Sequence, residues 1–425
     1  MHKYTKQYDA VTNDGFMKHL YRQGGIAMSG QQGTEPKQQL IQAVNARDDM
    51  LREISLKIHA NPELSFHEHQ AQQWLTEPLA EAGFAVEKGI SGLETSFRAT
   101  WEGTPGGPTI ALLAEYDALP GIGHACGHNL IGTAAVGAAL ALKDVCPQLP
   151  GKIVVLGTPA EEEGGGKIIM CQDGVFDDVD AAMMVHPQNK TMVLRGALAC
   201  VDATFTFHGK QAHASSSPEK GISALDALVN AYVAINSLRQ FMKEDVRIHG
   251  IITKGGDAPN VVPELTEAVF ILRASTVHEL ETVREKVYRA VRCAAEGVGA
   301  TVDIAEGLIY AERNNNKALA GLFARNLEDL GIEVNDPPEK GGVGSSDIGN
   351  VSQMTAAIHP YIRLGDATTH TPEFAALAGS EEGMIELNRA AKALALTAYD
   401  LCADKEALRE VRSEFEQWKA QRNEG

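Results

Sequence analysis

"TIALLAEYDALPGIGHACGHNLIGTAAVGAALALKDV", residues 109–145, decides the fold. It opens on a short apolar run with no polar alternation, the pattern of a strand buried on both faces. It closes on a run of small apolar residues at helical spacing. Between the two, a glycine-rich turn brings His124, Cys126 and His128 within five residues. Glycines there let the backbone approach a ligand closely.

The rhythm repeats downstream. "GKIVVLGTPA" (151–160) is a second buried strand, followed by "EEEGGG" and a helical "KIIMCQDGVF". "VDAAMMVHP" (179–187) is a third. Upstream, residues 59–84 read as loop, then helix, then a glycine stop. Strands alternating with helices predict an α/β unit with a mostly parallel sheet covered on both faces.

From Leu198 the texture changes. "LACVDATFTFHG" alternates like a half-exposed strand, and a long helix spans residues 220–242. Two strands joined by "KGGDAPNVVP" follow, then a helix with Val277, Leu280, Val283, Val287 and Val291 on one face. "TVDIAEGLIY" closes with a strand. The order β-α-β-β-α-β predicts a two-layer, ferredoxin-like insertion over 197–310. The catalytic unit then comprises 36–196 and 311–425, where a strand at 355–364 and a long C-terminal helix resume the α/β texture. Residues 1–35 are polar and read as an arm.

The 425 residues carry a formal net charge of −18, which argues against nucleic acid and anionic membranes as partners. No run approaches the ~18 apolar residues of a membrane span. The N-terminal stretch has no apolar core of signal-peptide length. Six scattered cysteines argue for reduced thiols. Together these predict a cytoplasmic protein.

The reactive side chains fall in a pattern. His124, Cys126 and His128 follow the first strand, Glu161, Glu162 and Glu163 the second, His186 the third, and His370 the strand at 355–364. In an open parallel sheet, ligands bind just past the carboxyl ends of the strands. Each motif alone is weak: three glutamates are usually a solvated surface, and a lone histidine is usually structural. Their convergence on one edge predicts a metal site. Thiolate, imidazole and carboxylate together suit a divalent ion such as zinc or manganese. Three consecutive glutamates exceed what ligation needs. A carboxylate beside the ligands is the usual geometry for a general base.

With these residues in place, the chain resembles the aminoacylase and glutamate-carboxypeptidase superfamily of metallopeptidases. It is most similar to the amidohydrolase branch that holds p-aminobenzoyl-glutamate hydrolase and indole-acetyl-amino-acid hydrolases. The resemblance rests on "HANPELSFHE", "AEYDALPGIGHACGHNLIGTAAVGAALAL", "GTPAEEEGGGK", "MMVHP", "KQAHASSSPEKGISALDA", "GGDAPNVVPE" and "THTPEF". It implies that Cys126, His128, Glu162, His186 and His370 hold metal and that Glu161 is the general base and acid. It implies that His213 reaches the partner subunit's active site to steady an oxyanion, and that Asn260 and Arg273 lie near the substrate. The insertion would be lid and dimer interface of a homodimer. Where relatives outside the branch carry His-x-Asp, this chain reads Glu115-Tyr116-Asp117, so Asp117 would orient a ligand histidine. Asn129 stands where many branch members carry aspartate, and Glu163 where glycine is commoner. One or two ions per subunit, manganese or zinc, fit this set.

The activity so implied is hydrolysis of a C–N bond by metal-bound hydroxide. The substrate would be a small, carboxylate-bearing N-acyl or N-aroyl amino acid or unusual dipeptide, cleaved at a bond other than an ordinary peptide bond. The branch also includes a hydrolytic deaminase, 5-nitroanthranilate aminohydrolase. An electron-poor aromatic amine is therefore the alternative electrophile, with ammonia as product. A metal-dependent binding protein without turnover is the third reading.

Overall fold

The computed structural model describes residues 34–337 and 344–423. The expected N-terminal arm lies outside them, except that Thr34 and Glu35 begin the helix Thr34–Ala46.

The main sheet has six strands: β1 (Ala85–Lys88), β2 (Phe97–Glu102), β3 (Thr104–Ala114), β4 (Pro150–Gly157), β5 (Ala181–Met183) and β11 (Ala356–Ile358). Their order is β1-β2-β4-β3-β5-β11. The four strands β4, β3, β5 and β11 are parallel to one another. β2 joins β4 antiparallel, and β1 joins β2 antiparallel. Apolar cores lie on both faces. One gathers Ile110, Leu112, Ile153 and Val155 with the helices His128–Val145 and Glu381–Ala403. The other gathers Ala111, Leu113, Val154 and Leu156 with Phe176 and Ile348. The alternation of one strand thus feeds two cores, which is why these strands read as continuous apolar runs.

Helix His128–Val145 starts immediately after Gly127, whose φ of 75° suits glycine. Farther along it, Gly132 lies so close to the strand end that a Cβ would meet the Glu115 carbonyl oxygen at 2.8 Å. A larger residue there would push the helix off the edge that carries the ligands.

The second sheet is built from β7 (Ala199–His208), β8 (Arg247–Lys254), β9 (Leu265–Ala274) and β10 (Thr301–Glu306), in the order β10-β7-β9-β8. All its pairings are antiparallel. Helices Ala224–Leu238 and Val277–Gly297 cover one face. Val201, Phe205, Phe207, Phe270 and Leu272 pack there against Leu228, Val283 and Val287. Both helices begin with a hydroxyl cap, Ser223 and Thr276, accepting from the backbone N–H three residues on.

Two expectations are corrected. The strand at 355–364 is broken after Ile358, because Pro360 cannot continue the ladder. The chain resumes as β12 (Tyr361–Arg363), which leaves the main sheet and pairs in parallel with β6 (His186–Gln188). The long C-terminal helix is two, Glu381–Ala403 and Lys405–Asn423. Asp404 between them is extended, and its carboxylate accepts from the Glu406 and Ala407 N–H groups, capping the second.

Candidate metal centre

The four ligand-bearing segments meet at the carboxyl edge of the parallel strands. Two compact triads form, each with its donor atoms within 4.8 Å of one another: Cys126, His128 and His186, and Cys126, Glu162 and His370. Cys126 belongs to both. His128 Nε2 lies 3.8 Å from Glu162 Oε1, and His370 Nε2 lies 3.7 Å from Glu162 Oε2. His124 is not part of the cluster; its ring turns away and pairs with the Ile58 carbonyl oxygen.

Each imidazole is oriented from behind. His128 Nδ1 donates to Asp117 Oδ1 at 3.0 Å, and His186 Nδ1 donates to the Pro187 carbonyl at 2.6 Å. Both rings thereby turn Nε2 toward the cluster, the nitrogen a metal-binding histidine offers. His128 Nε2 and Glu162 Oε1 are buried with no hydrogen-bond partner among the described residues. Such groups are costly unless something satisfies them. Orphaned donors from an imidazole and a carboxylate, beside a buried thiol, fit a divalent cation.

Asp117 is itself tied down. Its Oδ2 accepts from Ser65 Oγ and from the Glu162 N–H, both at 3.0 Å. Burial opposes its ionisation, but the His128 imidazole and the Glu162 N–H prevail and hold the carboxyl at about 2. Burial pushes His186 down to about 3, so its ring is neutral at ordinary pH. Burial likewise pushes the Cys126 thiol up.

Glu161 sits within 4.8 Å of the ligand pair His128 and Glu162 and also of a second acidic group, Glu115 and Asp347. Burial raises its pKa well above the carboxylate range, and the nearby Glu115, Asp347 and Glu162 raise it further. The turn that presents it contains Ala160 at φ 61°, an unusual conformation for a residue with a Cβ. Glu68 anchors that turn by accepting from the Ala160 N–H at 2.9 Å. His370 too has a positive φ, 65°, and its N–H bonds the Ala125 carbonyl across the cluster. Non-glycine residues at positive φ cost on the order of 1 kcal/mol each and gather at functional sites.

The sequence reading had no role for Lys167, Glu115, Asp347 or His359. Lys167 is fully buried, its Nζ 2.6 Å from Glu115 Oε1 and 2.8 Å from Asp347 Oδ1. It neutralises part of the acid behind Glu161. His359 is buried with neither ring nitrogen hydrogen-bonded among the described residues, its ring 5.3 Å from that of His186. The glycine-flanked lysine of "GGGK" and the departure Glu115 were the available signals for the first group. Nothing local marks Asp347 or His359.

The cluster opens into a cavity of about 740 Å³ between the two sheets, lined by Cys126, Glu161, Glu162, His186 and His370 on one side and by β7 and β9 residues on the other. Arg273 lines it, its Nη1 donating to Ser345 Oγ at 2.7 Å. Arg313 lines it also, hydrogen-bonded to Tyr361 Oη at 3.1 Å. His213 and Asn260 do not line it. They lie together on the exposed outer loop of the second sheet, where the Ala214 N–H donates to the Asn260 carbonyl.

The chain belongs to peptidase family M20/M25/M40, a family of hydrolases, whose model matches residues 111–393. It is 41% identical to the Xaa-Arg dipeptidase of Mus musculus over 89% of this chain and 92% of that one. It is 36% identical to one of the subunits of p-aminobenzoyl-glutamate hydrolase from Escherichia coli, over 61% of this chain and 58% of that one. The fold matches a Bacillus subtilis peptidase of the same family, described as dinuclear metal binding, with a TM-score of 0.65 at 20% identity, covering 84% of this chain and 99% of that one. Among the described residues, no helix is long and apolar enough to cross a membrane.

Proposed function

We propose that this protein is a metal-dependent dipeptidase or N-acyl amino acid hydrolase that cleaves the amide bond ahead of a carboxylate-bearing amino acid. The observation that carries the reading is the pair of triads sharing Cys126, with half-buried Glu161 beside them in an arginine-lined cavity. Dipeptidase relatives at 41% and 40% identity support amide cleavage over aromatic deamination. They also extend the expected substrates to ordinary dipeptides. The presence of Glu161 weighs against a binding protein without turnover.

Cys126, His128, Glu162, His186 and His370 hold the metal, manganese or zinc. Two overlapping triads favour two ions per subunit. The bound metal supplies Lewis acidity toward water and the scissile carbonyl. Glu161 takes a proton from the attacking water as its oxygen bonds the carbonyl carbon. It then returns that proton to the leaving nitrogen as the C–N bond breaks. Its raised pKa suits the second task. Asp117 fixes the His128 tautomer. Arg273 receives the substrate carboxylate. Asn260, outside the cavity of its own subunit beside His213, would reach a substrate only from a second copy of the chain.

His213 acts across a homodimer, where the partner subunit's His213 steadies the oxyanion. Its exposed position outside the cavity of its own subunit supports that reading. So do exposed apolar side chains on the second sheet and its helix: Val233 at 59%, Ile251 at 66% and Phe241 at 71%. Large exposed apolar groups beside an edge strand, here β8, fit an association surface. Six free cysteines fit a cytoplasmic setting.

Mixed dimers test the shared site. His213→Ala and Glu161→Gln, each inactive alone, recover activity on mixing, because one of the two sites then has both groups intact. No recovery in mixtures shown to exchange subunits would remove His213 from the partner's site.

A further inference from the structure

The cavity wall opposite the metal cluster is the open face of the second sheet. Along β7 the buried side holds Val201 and Ala203, so Cys200 and Asp202 face the cavity, and both line it. On β9 the matching positions are Ile271 and Arg273, which line it too. The register pairs Cys200 with Arg273 and Asp202 with Ile271. Asp202 and Arg273 are therefore diagonal neighbours on one face, with Cβ atoms about 7 Å apart.

Asp202 is exposed to the cavity, and no ion pair or side-chain hydrogen bond engages its carboxylate among the described residues. Other carboxylates lining the cavity, Glu161 and Glu162, belong to the metal cluster. Asp202 is thus an uncommitted anion set one diagonal step from an arginine that, among the described residues, carries no carboxylate partner. An extended arginine or lysine residue has the reverse polarity over a similar span, an α-carboxylate at one end and a cation at the other.

We infer that Asp202 is a specificity-determining residue that receives the cationic side chain of a C-terminal arginine or lysine, while Arg273 receives its α-carboxylate. This rests on the hydrolase reading above and on the C-terminal arginine that the names of the dipeptidase relatives carry, and adds to them the residue that selects the departing amino acid. A carboxylate facing a guanidinium makes a charge-assisted, bidentate pair. The pair also rejects C-terminal aspartate and glutamate by like-charge repulsion.

The test compares alanyl-arginine, alanyl-leucine and alanyl-glutamate as substrates of the metal-loaded parent and of Asp202→Asn and Asp202→Arg. A hydrogen bond to a charged group contributes roughly 1.5–3 kcal/mol, about a 10–100-fold change. In Asp202→Asn the ratio of kcat/KM for the arginine over the leucine dipeptide falls by that factor, with KM carrying the change. In Asp202→Arg the preference passes to the glutamate dipeptide. An arginine-to-leucine ratio equal in parent and Asp202→Asn overturns the assignment while leaving amide hydrolysis intact. Binding of free L-arginine, read by calorimetry, keeps the test independent of turnover. If the parent cleaves none of the three dipeptides, the dipeptidase form of the hydrolase reading fails. Asp202 is then judged by calorimetry alone: weaker arginine binding by Asp202→Asn supports its role, and equal binding overturns it.

Discussion

The two sheets of this molecule carry their chemistry in opposite ways. At the edge of the six-stranded sheet, Cys126, His128, Asp117, Glu115 and Lys167 are buried and each is held by a named neighbour. On the four-stranded sheet, His213 and Asn260 are exposed and lie away from the cavity. The first region is complete within one chain, and its strain and orphaned atoms point inward. The second offers polar groups and apolar side chains outward. A metal centre needs donors fixed before the ion arrives. A lid or dimer interface instead needs surface that is finished by something else. On the proposed reading, the buried groups are the part of the site this chain builds for itself, and His213 on the exposed loop is the part it would lend to a second copy.

The largest effect expected from breaking this contrast is at Glu161. Glu161→Gln lowers kcat by roughly 10²–10⁴ and leaves metal content, read by elemental analysis, at the parent value. Loss of metal together with activity would make Glu161 a ligand instead. Next is Lys167→Met, which leaves Glu115 and Asp347 buried without their cation. Breaking such a buried cluster from one side costs roughly 3–5 kcal/mol, to be read in chemical denaturation. A milder change, Asp117→Asn, keeps the shape but weakens orientation of His128, and metal affinity drops about 10–100-fold by competition with a chelator. The smallest effect on the fold itself is expected on the other sheet. Val233→Ser changes the stability of the subunit by no more than about 0.5 kcal/mol, as at an exposed site. The same variant shifts sedimentation toward monomer. Unchanged sedimentation would move the subunit contact away from helix Ala224–Leu238.

Much of the first region was legible in the sequence, because each donor segment directly follows a buried strand. The apolar runs before Glu115, Thr158 and Met184 locate the sheet edge, and the edge locates the site. Asp117 was legible as a helper only through the resemblance, because it stands where relatives carry the aspartate of His-x-Asp. Lys167 was not, because a lysine after three glycines normally reads as solvated. Its burial depends on Asp347, 180 residues away. His359 was hidden inside what reads as one strand, and only the break at Pro360 turns it toward His186. The antiparallel strands β1 and β2 were missed for a similar reason: β1 is short and mostly exposed, with no apolar run to announce it. On the second sheet the order of elements was legible from alternation. The partner of His213 was not, since an exposed loop carries no record of what faces it.

The central claim is hydrolysis of an amide bond at the shared cluster. The most direct measurement loads the protein with manganese or zinc and supplies a mixed set of dipeptides, N-acyl amino acids and electron-poor anilines. Products are resolved by mass spectrometry, with Glu161→Gln as the control. The account predicts release of free amino acids by the parent, abolished by a chelator and by the substitution. Release of ammonia, with a ring amine replaced by hydroxyl and every amide intact, would contradict it.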